Sequence, residues 1–235
     1  MQKKISIILC TYNEVNHIER TLELIEKNLT NCETIIVDDN SQDGTLDKLE
    51  KLKSLYKFRL FVRTTERGLA SAQIKGFSES TGEYIGTVDA NSENQILYFN
   101  KLISKLDEGF DIAVLSRYIP DGGDERIFVR SFASKSINIV SKFILKIPFT
   151  DFTSGIFLMK KKIFNETKHI ISGYAEWFIE FIYFLYKKKF KIIEIPYVQT
   201  KDDDTIESKS FPNIFTFSYL GLNYLLRIFT TKFKN

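Results

Sequence analysis

Residues 84–94 read Tyr-Ile-Gly-Thr-Val-Asp-Ala-Asn-Ser-Glu-Asn, an apolar run that ends in a carboxylate and passes into short oxygen-bearing side chains. A short apolar segment bounded by Gly82 and a polar cluster predicts a buried strand. Asp89 then sits at its carboxyl end, the edge where open α/β sheets bind ligands. Asp89, Asn91 and Glu93 alternate, and each offers an oxygen of the kind that Mg2+ or Mn2+ prefers, above all where the ion also bridges a diphosphate. Taken alone, the same letters describe a strand closing in an Asn/Ser-rich turn. The flanking sequence decides between the two.

Towards the amino terminus, residues 4–10 are a compact apolar run. Thr11-Tyr12-Asn13-Glu14 then opens a segment in which Ile18, Leu22, Ile25 and Leu29 recur at helical spacing. Residues 33–37 repeat the unit: a strand ending in Asp38-Asp39, a polar turn through Asp43-Gly44, and a helix with Leu46, Leu49 and Leu52 inward. A strand over 58–62 and a helix over 68–80 follow. The central strand is followed by a helix over 95–106 and a fifth strand over 111–116. This alternation predicts an α/β fold with a mostly parallel central sheet and helices on both faces. Beyond it come a polar loop over 117–124, a helix over 127–145, a turn at 151–155, an aromatic helical stretch over 174–186, a last strand over 191–198 and a helix over 212–229. No G-x-G-x-x-G follows the first strand and no Walker A loop exists, so phosphates fall to a cation and basic side chains.

Composition narrows the function. The chain has 235 residues, 43% of them hydrophobic, enough for the core of one domain over residues 1–210 with an amphipathic helix over 211–235. Basic and acidic residues number 33 and 30, a balance that speaks against nucleic acid as partner. Cys10 and Cys32 lack the spacing of a disulfide framework or zinc site, and His17 and His169 have no metal-ligand company. The apolar part of the first ten residues is too short for a signal peptide, and residues 210–226 carry too many polar groups for a membrane span, which together predict a cytoplasmic protein.

The run into TYNE, VDDNSQDGT, GLASAQIKG, VDAN, SRY, DFTSG and EIPY, in this order, resembles the family-2 glycosyltransferases of GT-A fold. Among these it is most similar to the polyprenyl- and dolichyl-phosphate hexosyltransferases. The resemblance implies an inverting transfer of a hexose, mannose or glucose, from a GDP- or UDP-sugar to a polyprenyl or dolichyl phosphate, assisted by Mg2+ or Mn2+. It assigns nucleotide binding to Asp38, Asp39, Ser41 and Asp43, flanked by Thr11, Tyr12 and Glu14, and the metal to Asp89, Asn91 and Glu93. Here the family's Asp-x-Asp reads Asp89-Ala90-Asn91, one negative charge short. Arg117 and Arg130 would clamp the acceptor phosphate, with Arg126 able to stand in for either. Asp151, Thr153 and Ser154 would lie near sugar and acceptor, and Glu176 or Glu180 along the sugar pocket. Where the family has a late arginine before a Ser-Lys pair, this chain has Lys201, three aspartates and Ser208-Lys209. An ionised phosphate acceptor needs no protein base. Residues 127–149 and 212–233 suit helices lying in a headgroup plane, which predicts a protein peripheral to the inner membrane face. Two alternatives stay open: transfer to a glycan or lipid hydroxyl, with Glu176 as base, and a non-catalytic nucleotide-sugar binder.

Overall fold

A computed structural model describes residues 4–91, 93–200 and 214–234, with Glu93, Ile214 and Phe217 described by their backbone alone. The apolar runs become strands β1 (Ile5–Thr11), β2 (Cys32–Asp38), β3 (Phe58–Val62), β4 (Tyr84–Thr87), β5 (Ile112–Ser116), β6 (Gly123–Asp124), β7 (Phe157–Lys160), β8 (Ile192–Pro196) and β9 (Val198–Gln199). The helices are α1 (Ile18–Asn28), α2 (Thr45–Leu52), α3 (Leu69–Glu79), α4 (Phe99–Asp107), α5 (Phe128–Leu145), α6 (Lys161–Thr167), α7 (Trp177–Lys187) and α8 (Ile214–Lys234).

Seven strands form one sheet in the order β3-β2-β1-β4-β7-β5-β8. All neighbours are parallel except β7, which runs against β4 and β5. The chain winds outward from β1 to β3 and returns to lay β4 on the other side of β1, so the strand order reverses there. Loops following β1, β2 and β4 therefore open on one edge, the position of ligand clefts in such sheets.

Period-two alternation distributes the sheet's side chains between two cores. Ile5, Ile7 and Leu9 of β1 join Leu22 of α1, Leu49 of α2 and Leu102 of α4, whereas Ile8 joins Phe77 of α3, Phe178 of α7 and Ile228 of α8. The second core is dominated by aromatics: Phe157 stacks on Phe178 at 5.5 Å between centroids and meets Trp177 edge-on at 6.2 Å. The C-terminal helix is thus part of this packing rather than an extension away from it, and Arg227 Nη1 donates to Glu180 Oε2 at 2.7 Å to pin α8 to α7.

Some expectations are redrawn. The strand at 84–89 ends at Thr87, and the helix at 95–106 divides into a 3-10 turn, Glu93–Tyr98, and α4. The polar loop after β5 contains β6, which pairs with β9 as a small second sheet. Helix α6 and the reversed direction of β7 were not foreseen, because neither a seven-residue helix nor a strand's direction leaves a periodic signature.

Candidate active site

The carboxyl ends of β1 and β2 are closed by a buried polar network. Thr11 Oγ1 donates to Asp38 Oδ2 at 2.6 Å, while Ser41 donates its backbone N–H to Oδ1 and its hydroxyl to Oδ2, each at 2.7 Å. Ser41 Oγ in turn accepts the Asn13 N–H at 2.8 Å. Asn13 and Asn40 carry left-handed φ values of 58°, a conformation that Asn tolerates best after glycine. Thr11, Asp38 and Ser41, expected to touch nucleotide, instead shape the turn beneath the pocket, with their polar atoms spent on one another. Asp43 behaves likewise: it accepts the N–H groups of Val15 and Thr45. Those bonds outweigh desolvation and hold its carboxyl below the usual range.

Above this network lies an open pocket of about 420 Å³, lined by Tyr12, Asp39, Asn40, Gln42 and the loop of residues 63–67. That volume falls within the range of small-ligand sites. Asp39 forms its inner wall. Arg63 Nε donates to Asp39 Oδ1 at 2.7 Å with Nη2 on the same oxygen, and the Gly68 N–H donates to Oδ2 at 2.8 Å. Oδ2 keeps one lone pair for a ligand. Arg67 lies over the Tyr12 ring, its guanidinium carbon 3.5 Å from the centroid.

Asp89 follows β4 where the strand order reverses. Thr21 Oγ1 of α1 donates to the Ala90 carbonyl at 2.7 Å and fixes the turn from below. The Asp89 side chain is exposed towards the cleft, while the protein around its carboxyl disfavours the charge. Desolvation, helped by the negative charge of Glu14 and opposed by Arg126, pushes its pKa up to about 6. Two carboxylates that disfavour each other's charge, beside the exposed amide of Asn91, fit a hard cation. Among the described residues no group of three or more His, Cys, Asp or Glu side chains is poised to hold a metal, so any divalent cation at Asp89 would need further ligands from substrate or water. The Glu93 side chain lies outside the described residues.

Arg117 departs from expectation. It is 4% exposed and donates through Nε and Nη2 to both oxygens of Asp151, at 2.8 and 2.7 Å, and through Nη2 to Thr153 Oγ1 at 2.8 Å. Desolvation works against its charge, and the Asp151 carboxylate overrides it and keeps the guanidinium firmly protonated. A bidentate buried pair of this kind is a fixed strut. Arg117, expected from the sequence to clamp the acceptor phosphate, therefore takes a positioning role instead. Gly122 lets the next loop close over it: a Cβ there would stand 2.8 Å from the Ser116 and Arg117 carbonyls.

Thr153 Oγ1 is the hub of this region. It receives the Asn138 amide at 2.9 Å and pairs with Ser134 Oγ at 2.7 Å. Arg130, Ser134 and Asn138 recur every four residues along α5 and so share one stripe, on which Ser134 and Asn138 meet Thr153 of the 151–155 turn. Arg126 makes a bidentate pair with Asp124, Nε to Oδ1 at 2.8 Å and Nη2 to Oδ2 at 2.6 Å. Burial alone would raise Asp124, but the arginines beside it bring it down to about 2. Ser154 Oγ is turned to the Leu115 carbonyl at 2.5 Å, and Asp151 is wholly buried. Glu194 clasps this turn from below, accepting Thr150 and Asp151 N–H groups at 3.0 and 3.1 Å.

Glu176 folds back onto the Tyr174 N–H at 3.1 Å and lies 4.0 Å from Arg227, so it faces α8. Glu180 is the anchor of Arg227 and likewise lies away from the pocket. Lys201 and Lys209 lie outside the described residues. Sequence reasoning missed Arg63, Arg67, Asp124 and Glu194. The first two carried a readable signal, since two arginines in the loop after β3 stand at the ligand-binding edge of the sheet.

The family model for glycosyl transferase family 2 matches residues 6–168. The chain belongs to that family. Its relatives include a dolichol-phosphate mannosyltransferase of Pyrococcus furiosus, 32% identical over 232 residues, covering 95% of this chain and 63% of that protein. A polyprenol monophosphomannose synthase of Mycolicibacterium smegmatis is 26% identical over 218 residues, 88% of this chain and 82% of that protein. A dolichol-phosphate mannosyltransferase of Saccharomyces cerevisiae is 36% identical over 137 residues, 55% of this chain and 49% of that protein. The family 2 chain thus spans less than two thirds of the length of the Pyrococcus and Saccharomyces proteins. Among solved structures, glucosyl-3-phosphoglycerate synthase from Mycobacterium tuberculosis, crystallised with Mn2+, UDP and phosphoglyceric acid, shares the fold with a TM-score of 0.73 at 12% identity. That match covers 98% of this chain and 78% of that one.

Proposed function

We propose that this family 2 protein transfers a hexose from a nucleoside-diphosphate sugar to a polyprenyl phosphate at a membrane surface. The observation that carries the reading is the two-sided character of α5. Arg130, Ser134 and Asn138 share the stripe that faces the Asp151–Thr153 turn, while Phe128, Phe132, Ile139 and Phe143 on the other side are exposed. One helix therefore offers a phosphate-binding stripe and an apolar outer face, as a lipid phosphate requires. Helix α8 extends that outer face with Phe215, Tyr219, Leu222, Leu226, Phe229 and Phe233, all exposed. Neither helix contains an Asp or Glu, and both carry basic residues, so anionic headgroups suit them. No helix among the described residues is long and apolar enough to cross a membrane.

The chemistry follows from the placement of groups. The nucleoside of the donor occupies the pocket of Tyr12, Asp39 and the 63–67 loop, with its diphosphate directed to Asp89. A divalent cation held there by Asp89 and Asn91, with Glu14 adding negative charge, would offset the charge of the leaving diphosphate. The acceptor's second phosphate pKa, about 6, leaves it ionised at neutral pH. Arg130 and Arg126 hold that phosphate, and the buried Arg117–Asp151 pair keeps Thr153 and Ser134 in register beside them. A phosphate oxygen forms the new bond to the anomeric carbon as the bond to the diphosphate breaks, which inverts the centre. Glu176, turned to α8, is not placed to serve as base for a hydroxyl acceptor.

Incubating the protein with GDP-mannose or UDP-glucose and Mn2+, in the presence of either a short polyprenyl phosphate or the corresponding polyprenol, tests the assignment. The expected product is a glycosyl polyprenyl phosphate from one donor, with none from the alcohol. Transfer to the alcohol, or binding without transfer to either, overturns it.

A further inference from the structure

The nucleotide pocket is open on its outer side, and Arg67 stands at that opening. Its guanidinium carbon lies 3.5 Å from the Tyr12 ring centroid, the separation of a planar cation stacked on an aromatic face. Among the described residues no carboxylate pairs with Arg67, and the residue is exposed. The loop that carries it is fixed at both ends. Arg63 is held by Asp39, by Ser71 Oγ at 2.8 Å and by the Gly68 carbonyl at 2.9 Å, and the Gly68 N–H is held by Asp39. Arg67 thus extends from a loop fixed at both ends and rests on a ring that forms part of the pocket wall.

We propose that Arg67 is a movable clamp for the nucleobase. The base enters against Tyr12, and the guanidinium lifts from the ring to cover the outer face of the base, giving the order Tyr12, base, Arg67. This inference rests on the nucleotide reading of the pocket. Three planar groups stack in it, and the loose side chain lies on the solvent side, where it can open without disturbing the Arg63–Asp39 wall. Every base has a π face, so the clamp adds affinity without choosing between uracil and guanine. That choice falls to groups at the pocket edge, such as Asn40 and Gln42.

Calorimetric titration of the full chain with UDP, GDP and inorganic pyrophosphate, all with Mn2+, tests the clamp in wild type, Arg67→Ala and Arg67→Gln. Arg67→Ala is expected to weaken UDP and GDP binding about tenfold, within the range of one base–side-chain stack, and to leave pyrophosphate within about twofold. Arg67→Gln, which keeps a planar group, is expected to fall between. Unchanged or tighter nucleotide binding in Arg67→Ala overturns the clamp, since the arginine would then at most compete for Tyr12. Equal losses for pyrophosphate and nucleotides also overturn it, since the arginine would then serve the phosphates. A wild-type protein that binds pyrophosphate but gains nothing from the nucleoside removes the nucleotide reading itself, and the clamp with it.

Discussion

Among single residues, the carboxylates of the cleft divide by what surrounds them. Asp38 and Asp151 are buried and satisfied by neighbouring hydroxyls, N–H groups and a guanidinium, whereas Asp89 faces the cleft with Glu14 raising the cost of its charge. A proton and a metal ion compete for the same oxygens, and the raised value sets where the proton wins. Mn2+ affinity, followed by titration calorimetry from pH 5 to 8, is therefore expected to rise with a midpoint near pH 6. Asp89→Asn is expected to weaken binding at least tenfold at pH 7.5 and remove that midpoint. A midpoint near the ordinary carboxylate value would show that burial and Glu14 do not govern the site. The sign for stability is opposite: because the folded-state value lies above the unfolded one, the metal-free fold loses stability as pH rises towards about 6. Sequence could place Asp89, Asp39 and Tyr12 at strand ends, where ligands bind. It could not tell an acid that meets a ligand from one that holds a turn, which is why Asp38, Asp151 and Arg117 read as contacts.

Strands and helices are held in register by polar ties at the opposite edge of the sheet. Glu33, at the start of β2, accepts Ser6 Oγ of β1 at 2.7 Å, the Thr81 N–H before β4 at 2.9 Å and Arg59 of β3 at 3.1 Å, so one carboxylate joins four strands. Desolvation alone would raise its pKa, but these bonds outweigh it and bring the value down to about 2. The side chain is 11% exposed, so solvent screening removes only part of the effect. Glu33→Ala is expected to cost about 2–3 kcal/mol at pH 7, from roughly 1.4 kcal/mol for each unit of depression. The tie contributes fully above the unfolded-state value and is lost as pH falls from about 4.5 through about 2. Chemical denaturation at pH 7 and pH 3 checks it: the deficit of the variant should shrink markedly at the lower pH, and an equal deficit at both would contradict the linkage. The four βα units before residue 107 were legible because apolar runs and helical spacing alternate cleanly there. The reversal of β7 and the pairing of β6 with β9 depend on long-range partners, and no local pattern records them.

Seen whole, the protein has a polar cleft at one edge and an apolar, acid-free surface on α5 and α8. Phe132 and Phe143 are 61% and 79% exposed, so replacing both with glutamate should leave the fold intact. The same double variant is expected to lose at least tenfold in binding to vesicles containing anionic lipid, measured by sedimentation. Undiminished binding would place the membrane contact elsewhere. The resemblance read from TYNE to EIPY foresaw this architecture, while the burial of Arg117 in an ion pair with Asp151 emerged only from packing.

The most direct test of the account is a structure of the protein with nucleoside diphosphate, Mn2+ and a short polyprenyl phosphate. The account predicts an anomalous Mn2+ peak at Asp89 and the acceptor phosphate within hydrogen-bond distance of Arg130 and Ser134. A phosphate bound away from α5, or Mn2+ away from Asp89, would contradict it.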